Sequence, residues 1–328
     1  MDAHSGGTPG AGNGTGFVYD SVFLNHDTGP GHVERPERLQ AILARLQSRG
    51  ILSELQAIQP QPATREMLER VHSERYVARA EHDILSGRPV LSTDPGGSDT
   101  RIGTPSLAAA RMAAGAVVAA VDAVMAGRVR NAFCCVRPPG HHATISAGMG
   151  FCIFNNVAVG VRHLQAKYNI TRVLVMDWDV HHGNGTEDIF ADDPTVFFAS
   201  SHQWGIYPGT GDAAVTGEGE GAGTTLNMPL PPGTPERQMI DLWTSRLVPA
   251  MESFRPEFVF ISAGFDSHED DLLGSLRMTD DGFRELTRLA MSIAANYAGG
   301  RLVSVLEGGY NLSALSGSVE AHVRELMA

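Results

Sequence analysis

Short apolar runs separated by stretches of helical periodicity dominate the second half of the chain. Val173-Leu174-Val175-Met176, Phe258-Val259-Phe260-Ile261 and Leu302-Val303-Ser304-Val305-Leu306 are apolar almost throughout. Runs this short and this apolar are expected of strands covered on both faces, as in a parallel sheet. By this pattern strands are expected at 17–20, 131–136, 172–176, 195–200, 225–230, 258–262 and 302–306. Apolar residues recurring every three to four positions predict helices from 35 to about 48, in two short pieces within 63–84, and over 106–125, 154–168, 234–254, 279–295 and 312–327. Thr279 is placed to cap the penultimate one. Strand and helix alternate from residue 131 onward, which predicts a single α/β domain with one parallel sheet flanked by helices. No internal repeat or change of composition divides the chain.

Polar and Gly/Pro-rich segments punctuate this pattern. Residues 1–15 are rich in Gly, Ser, Thr and Asn and are expected to be a disordered tail, with the folded domain covering 16–328. Loops are expected at 25–32, 91–105 and 202–212, and 217–223 is expected to be mobile. A loop as long as 91–105 suggests function. With 42% hydrophobic residues a sizeable core can form. The net charge of −12 argues against direct nucleic-acid binding and suits a cationic substrate or partner, as well as plain solubility. The three cysteines, Cys134, Cys135 and Cys152, form no disulfide framework, so a reducing, cytoplasmic setting is expected, with Cys134 and Cys135 as small core residues. The N-terminus lacks the apolar segment of a secretory signal, no stretch reads as a membrane span, and no membrane association is expected.

Chemistry gathers where the apolar runs stop. The run ending at Met176 continues as Asp177-Trp178-Asp179-Val180-His181-His182-Gly183-Asn184-Gly185. Alternation along an extended chain would put Asp177, Asp179 and His181 on one side, with the Gly-Asn-Gly turn bending the chain away. Other expected strands lead into Pro138-Pro139-Gly140-His141-His142, into Gly264-Phe265-Asp266 and into Glu307-Gly308-Gly309-Tyr310. In a parallel sheet these carboxyl ends share one edge, where ligands of open α/β folds bind. Asp179, His181 and Asp266 offer two oxygens and one nitrogen, the three-ligand pattern of catalytic Zn²⁺, although Fe²⁺, Co²⁺ or Mn²⁺ suits mixed ligation too. With such a metal, His142 can take a proton from water and Tyr310 can donate a hydrogen bond to an oxyanion, the equipment for hydrolysing an amide or ester.

These motifs, in this order, resemble the zinc-dependent histone deacetylase family, specifically its class II-like bacterial deacetylases and amidohydrolases. The resemblance runs from His26-Asp27-Thr28-Gly29 through Arg35-Pro36-Glu37-Arg38, Arg137 to His142, Gly150-Phe151-Cys152, Asp177 to Gly185, Tyr207-Pro208-Gly209-Thr210-Gly211 and Ser262 to Asp266, ending at Tyr310. It implies an arginase-like fold with a central eight-stranded parallel sheet and hydrolysis of N-acetyl-lysine to lysine and acetate. It also implies Asp179, His181 and Asp266 as zinc ligands, His142 as general base and acid, and His141 as its supporting neighbour, oriented by Asp177. Tyr310 becomes the oxyanion donor, and Gly150, Phe151 and Tyr207 line the substrate tunnel with Leu273 at its gate. Asp177, Asp179, His181 and Ser200 match a K⁺ site that uses side chains and backbone carbonyls. Arg38 matches an arginine of an internal acetate cavity; a structural ion pair is the other reading. Asp99 falls near a substrate-gripping acid.

Departures from the pattern also carry expectations. Asn184 stands where other subclasses pair an acid with the second histidine, leaving His142 a neutral partner and a less raised pKa. Leu273 stands where the acetylpolyamine deacetylase of this class has Glu, favouring acyl-lysine side chains of proteins or peptides over cationic polyamines. The alternatives are a small-molecule amidohydrolase acting on acetylamines and, in another class, a non-catalytic acyl-lysine binder or scaffold. Homo-oligomers are compatible with the resemblance, and loops 86–104 and 217–223 are candidate contacts between subunits.

Overall fold

The chain folds, in a computed structural model that describes residues 14–97 and 99–328, around one parallel sheet. Its strands are β1 (Thr15–Val18), β2 (Gln56–Ile58), β3 (Asn131–Cys134), β4 (Val173–Asp177), β5 (Val196–Gln203), β6 (Thr225–Leu230), β7 (Phe258–Ala263) and β8 (Leu302–Leu306). The eight strands lie in the order β2-β1-β3-β8-β7-β4-β5-β6, and every pairing is parallel. Central strands β3, β4, β7 and β8 are buried at every residue, which is why they read as unbroken apolar runs.

Helices α1 (Glu37–Ser48), α8 (Asp280–Tyr297) and α9 (Leu312–Met327) pack on one another as one layer. Helices α4 (Ser106–Met125) and α5 (Asn156–Tyr168) form another, and both layers touch the central strands. The remaining helices are α2 (Arg65–Glu69), α3 (Glu74–Leu85), α6 (Asn184–Phe190) and α7 (Glu236–Phe254). Side-chain caps start several of them: Asn155 Oδ1 accepts from Ala158 N at 3.0 Å, Thr279 Oγ1 from Gly282 N at 3.4 Å, and Asn311 Oδ1 from Ser313 N and Ala314 N.

Several sequence expectations need correction. Strand β2 was not expected, because three residues, two of them exposed, carry no periodic signal. Helix α6 begins inside the Gly183-Asn184-Gly185 segment read as a turn. Strand β5 runs on to Gln203, so His202 is a strand residue. Of the expected tail over 1–15, residues 1–13 lie outside the described residues, and Thr15 already belongs to β1. Segment 217–223 is stitched down: Glu218 N donates to Ala191 O at 2.7 Å, and Glu220 N to Asp192 Oδ1 at 2.9 Å. Helix α4 is, by length and composition, apolar enough to cross a membrane, contrary to the sequence reading. Its valines and most of its alanines are instead buried in the core, where small side chains let α5 and the sheet approach closely.

Candidate active site

Strand order assembles the site. β3, β8, β7 and β4 are consecutive neighbours, so the loops leaving their carboxyl ends converge although they lie up to 169 residues apart between His141 and Tyr310. Strand β4 ends at Asp177 and the chain then bends, so the strict alternation expected from Asp177 to His181 stops there. Asp177 turns to His141, whose Nδ1 lies 3.0 Å from its Oδ2, while Asp179 and His181 turn to Asp266.

Asp179, His181 and Asp266 are all buried, and their ligand atoms lie within 4.8 Å of one another. Asp179 Oδ1 accepts from His181 N at 2.9 Å and its Oδ2 from Gly308 N at 2.9 Å. Asp266 Oδ1 accepts from Val180 N at 2.8 Å, and among the described residues its buried Oδ2 meets only His181 Nδ1, 3.2 Å away and already 3.0 Å from Asp179 Oδ1, with no well-aligned hydrogen bond. Burial, then the Asp179 charge, pushes the Asp266 carboxyl up to about 7. Two buried carboxylates that share a single imidazole nitrogen out of water form a donor set suited to a cation. The residues therefore fit a divalent metal. A Cβ at Gly308 would collide with both carboxylates, so the close approach of that backbone requires glycine.

The two histidines after β3 are held in different states. Burial opposes charge on His141, but the Asp177 and Asp179 carboxylates overcome it and push its pKa up to about 10. His142 is pushed well below its ordinary value by burial and by the charges of His141 and His181. Its Nδ1 is 2.7 Å from Asn184 Oδ1, and Asn184 Nδ2 points to Met149 Sδ at 3.4 Å. Nδ1 thus carries the proton and Nε2 is left as a free base. Glu307, whose carboxyl burial lifts to about 7, fixes this loop by accepting from Gly140 N at 2.6 Å and His141 N at 3.2 Å.

Tyr310 is buried, and burial raises its phenol well above 10, against the lowering effect of Arg38, so the hydroxyl remains a donor. Arg38 lies 4.9 Å from the Tyr310 ring centroid and gives its N–H groups to Gly309 O at 2.6 Å, Glu307 O at 2.5 Å and Glu34 Oε1 at 3.2 Å. The Arg38–Glu34 contact is the ion pair that one of the two readings of Arg38 expected. Glu34 is shared with Arg137, whose guanidinium also binds the backbone of Phe23 and His26.

A cavity of about 270 Å³ opens above the cluster. It is lined by Asp99, His142, Gly150, Phe151, His181, Ile206, Tyr207, Leu273 and Tyr310. Phe151 stands 6.0 Å from Tyr310, and Tyr207 meets His142 edge-on at 5.1 Å. Asp99 thus joins the lining, on a loop shaped by Asp94, whose carboxylate accepts from the N–H groups of Gly96, Asp99 and Thr100. Ser200 lies beside Asp177 in the β4–β5 register, with Oγ 3.0 Å from His202 Nδ1. Glu307, Asp94, Met149 and Ile206 were not singled out from the sequence. An acid directly after the apolar run of β8 was the one available signal, for Glu307.

Comparison with known proteins gives a consistent picture. The histone deacetylase domain family matches residues 32–326. A probable deacetylase of Archaeoglobus fulgidus is 39% identical over 91% of this chain and 82% of its own length. The histone deacetylase-like amidohydrolase of Pseudomonas aeruginosa is 38% identical, covering 90% of this chain and 82% of that protein. The human polyamine deacetylase HDAC10 is 39% identical over 96% of this chain, which spans 48% of that protein's length. The crystal structure of the HDA15 HD domain superposes with a TM-score of 0.89 at 35% identity, over 96% of this chain and 88% of that one.

Proposed function

Because the chain belongs to the histone deacetylase family and is a hydrolase of its deacetylase and amidohydrolase group, we propose that it removes acetyl or related acyl groups from lysine side chains of proteins or peptides. One observation carries the reading: a cation-short Asp179–His181–Asp266 cluster, a neutral His142 and a protonated Tyr310 meet at a small aromatic-walled cavity. Zn²⁺ held by Asp179, His181 and Asp266, with Fe²⁺ or Co²⁺ as chemically suitable substitutes, would supply Lewis acidity to the acyl carbonyl and to water.

The chain's own residues do the rest. His142 Nε2 accepts the proton of the attacking water and returns it to the departing lysine nitrogen, so water is consumed and carboxylate and amine are released. His141, kept cationic by Asp177, favours negative charge nearby, and Tyr310 Oη donates to the developing oxyanion. Phe151 and Tyr207 would hold the aliphatic stem and exclude water. Asp177 and Ser200, with carbonyls of the 177–181 run, are proposed to hold K⁺. Buried, unpaired Cys134, Cys135 and Cys152 are consistent with the reducing cytoplasm we propose as its setting.

Leu273 in the cavity lining supports an uncharged stem over a polyamine. Acetylpolyamine hydrolysis is the second reading, favoured by Asp99 in the same lining and by the net charge of −12. The test is turnover of acetyl-, trifluoroacetyl- and longer-acyl-lysine peptides beside acetylpolyamines. Acetyl-lysine peptides should be cleaved, and Tyr310→Phe should lose roughly 100- to 1,000-fold in kcat with zinc retained. Cleavage of acetylpolyamines alone would select the second reading. Zinc binding with no hydrolysis would leave a non-catalytic acyl-lysine binder.

A further inference from the structure

Resting on that reading of the site, we infer that Asp271 is a positioning residue that holds Tyr310 and the Leu273 gate in one register. Its carboxylate serves two loops at once. Oδ2 accepts from Tyr310 N at 2.7 Å and from Asn311 N at 3.0 Å, while Oδ1 accepts from Leu273 N at 3.1 Å. Asn311 is the N-cap of α9, so the carboxylate lies at the positive end of that helix, where an anion is favoured. The neighbouring Asn311 Nδ2 adds a 2.8 Å bond to Asp270 O.

The peptide linking Gly309 to Tyr310 is pinned at both ends. Arg38 Nε donates to its carbonyl at 2.6 Å and Asp271 accepts from its N–H. Gly309 sits at φ 118°, a value open to glycine, so its N–Cα and Cα–C bonds leave that peptide plane free to turn unless it is held. Opposite charges gripping the two ends of one peptide remove that freedom and set the direction in which Tyr310 leaves the backbone. Asp271 is itself anchored. Its N–H donates to His268 O at 3.0 Å, and the 267–269 segment is tied to Met278 by bonds of 2.9 and 3.1 Å. Beyond this anchor, Leu272 is 62% exposed and Leu273 faces the cavity, so the gate depends on the same carboxylate.

The test is a double-mutant cycle with metal content measured throughout. Asp271→Ala should lower kcat about 10- to 100-fold, the scale expected when a catalytic group is misplaced by about 1 Å. In the Tyr310→Phe background kcat should fall no further, because its effect on the chemical step runs through the tyrosine, while a loosened Leu273 gate would show in KM. Asp271→Asn keeps one acceptor oxygen, so its kcat should fall between the two, and it serves if the alanine variant does not fold. Losses in kcat that multiply in the double variant, or a wild-type kcat in both Asp271 variants, would overturn the inference. Hydrogen exchange separates this from the functional reading. Amides of 272–274 and 309–311 should exchange faster together in either variant, whether or not the wild type cleaves any substrate offered. Unchanged exchange in both segments would also overturn it.

Discussion

Phe151 stands at φ 69°, a left-handed value that a bulky side chain rarely adopts, directly after Gly150 at φ 56°. A Cβ at Gly150 would strike the His142 ring, so glycine lets the backbone pass close to that ring and Phe151 completes the turn as a cavity wall. Strain placed beside reactive groups is stored in the ligand site and balanced by packing elsewhere. The state of His142 has a similarly local cause, since its Nδ1 partner is the neutral Asn184. Asn184→Asp puts a negative charge there and should raise the His142 pKa. The acidic limb of the kcat/KM profile should then move to higher pH. A limb that stays in place would show that His142 is not the titrating base. Residue chemistry of this kind was legible in the sequence wherever an acid, histidine or tyrosine followed an apolar run. Glu307 also follows such a run, but the role it shares with Asp271, accepting backbone N–H groups, is one that no side-chain pattern announces.

Elements show the limit of local propensity. Gly115 lies inside α4, where alanine would ordinarily favour the helix by about 1 kcal/mol. Here a Cβ would run into the backbone at Gln61, on a segment fixed by the Ala63 N to Arg111 O bond of 2.8 Å. Gly115→Ala should therefore destabilise the protein by about 1–3 kcal/mol, as overpacking does. Denaturant unfolding gives the sign, and a stabilised variant would contradict the packing. Buried strands β3, β4, β7 and β8 were recognisable because both faces are covered and the period collapses into an apolar run. Edge strand β2 and short helix α6 were not, because pairing with β1 and packing against the site, rather than their own residues, make them regular.

At the scale of the whole molecule, burial sets an acid limit on stability. Burial lowers His26 and His72 to about 4, and His202 and His322 to about 3, so the folded state refuses protons that the unfolded chain accepts below about 6.5. Each depressed histidine contributes stability above that pH and loses about 1.4 kcal/mol per pH unit as pH falls toward its folded value. Glu34, fully buried, is held at about 2 by Arg137 against the cost of burial, and adds a further loss as pH falls from about 4.5 to 2. Glu307, raised to about 7, has the opposite sign between 7 and 4.5 and offsets about one histidine there. Unfolding free energy of the zinc-loaded protein should fall steeply from pH 6.5 to 4. A flat profile across that window would mean that these histidines are solvated.

The linear order of residues was enough to establish an α/β chain with parallel strands, the strand ends that carry reactive groups, and which three of them can share a metal. Those features depend on short-range periodicity and on the chemistry of single side chains. The order β3-β8-β7-β4, the bend after Asp177 that ends the expected alternation, and the carboxylates of Glu307 and Asp271 that hold backbone N–H groups of the 140–141 and 310–311 segments came only with the tertiary structure. Each joins segments far apart in the chain. Pairing between distant strands and the capture of backbone N–H groups by a buried carboxylate are decided by packing, after local preferences have been spent.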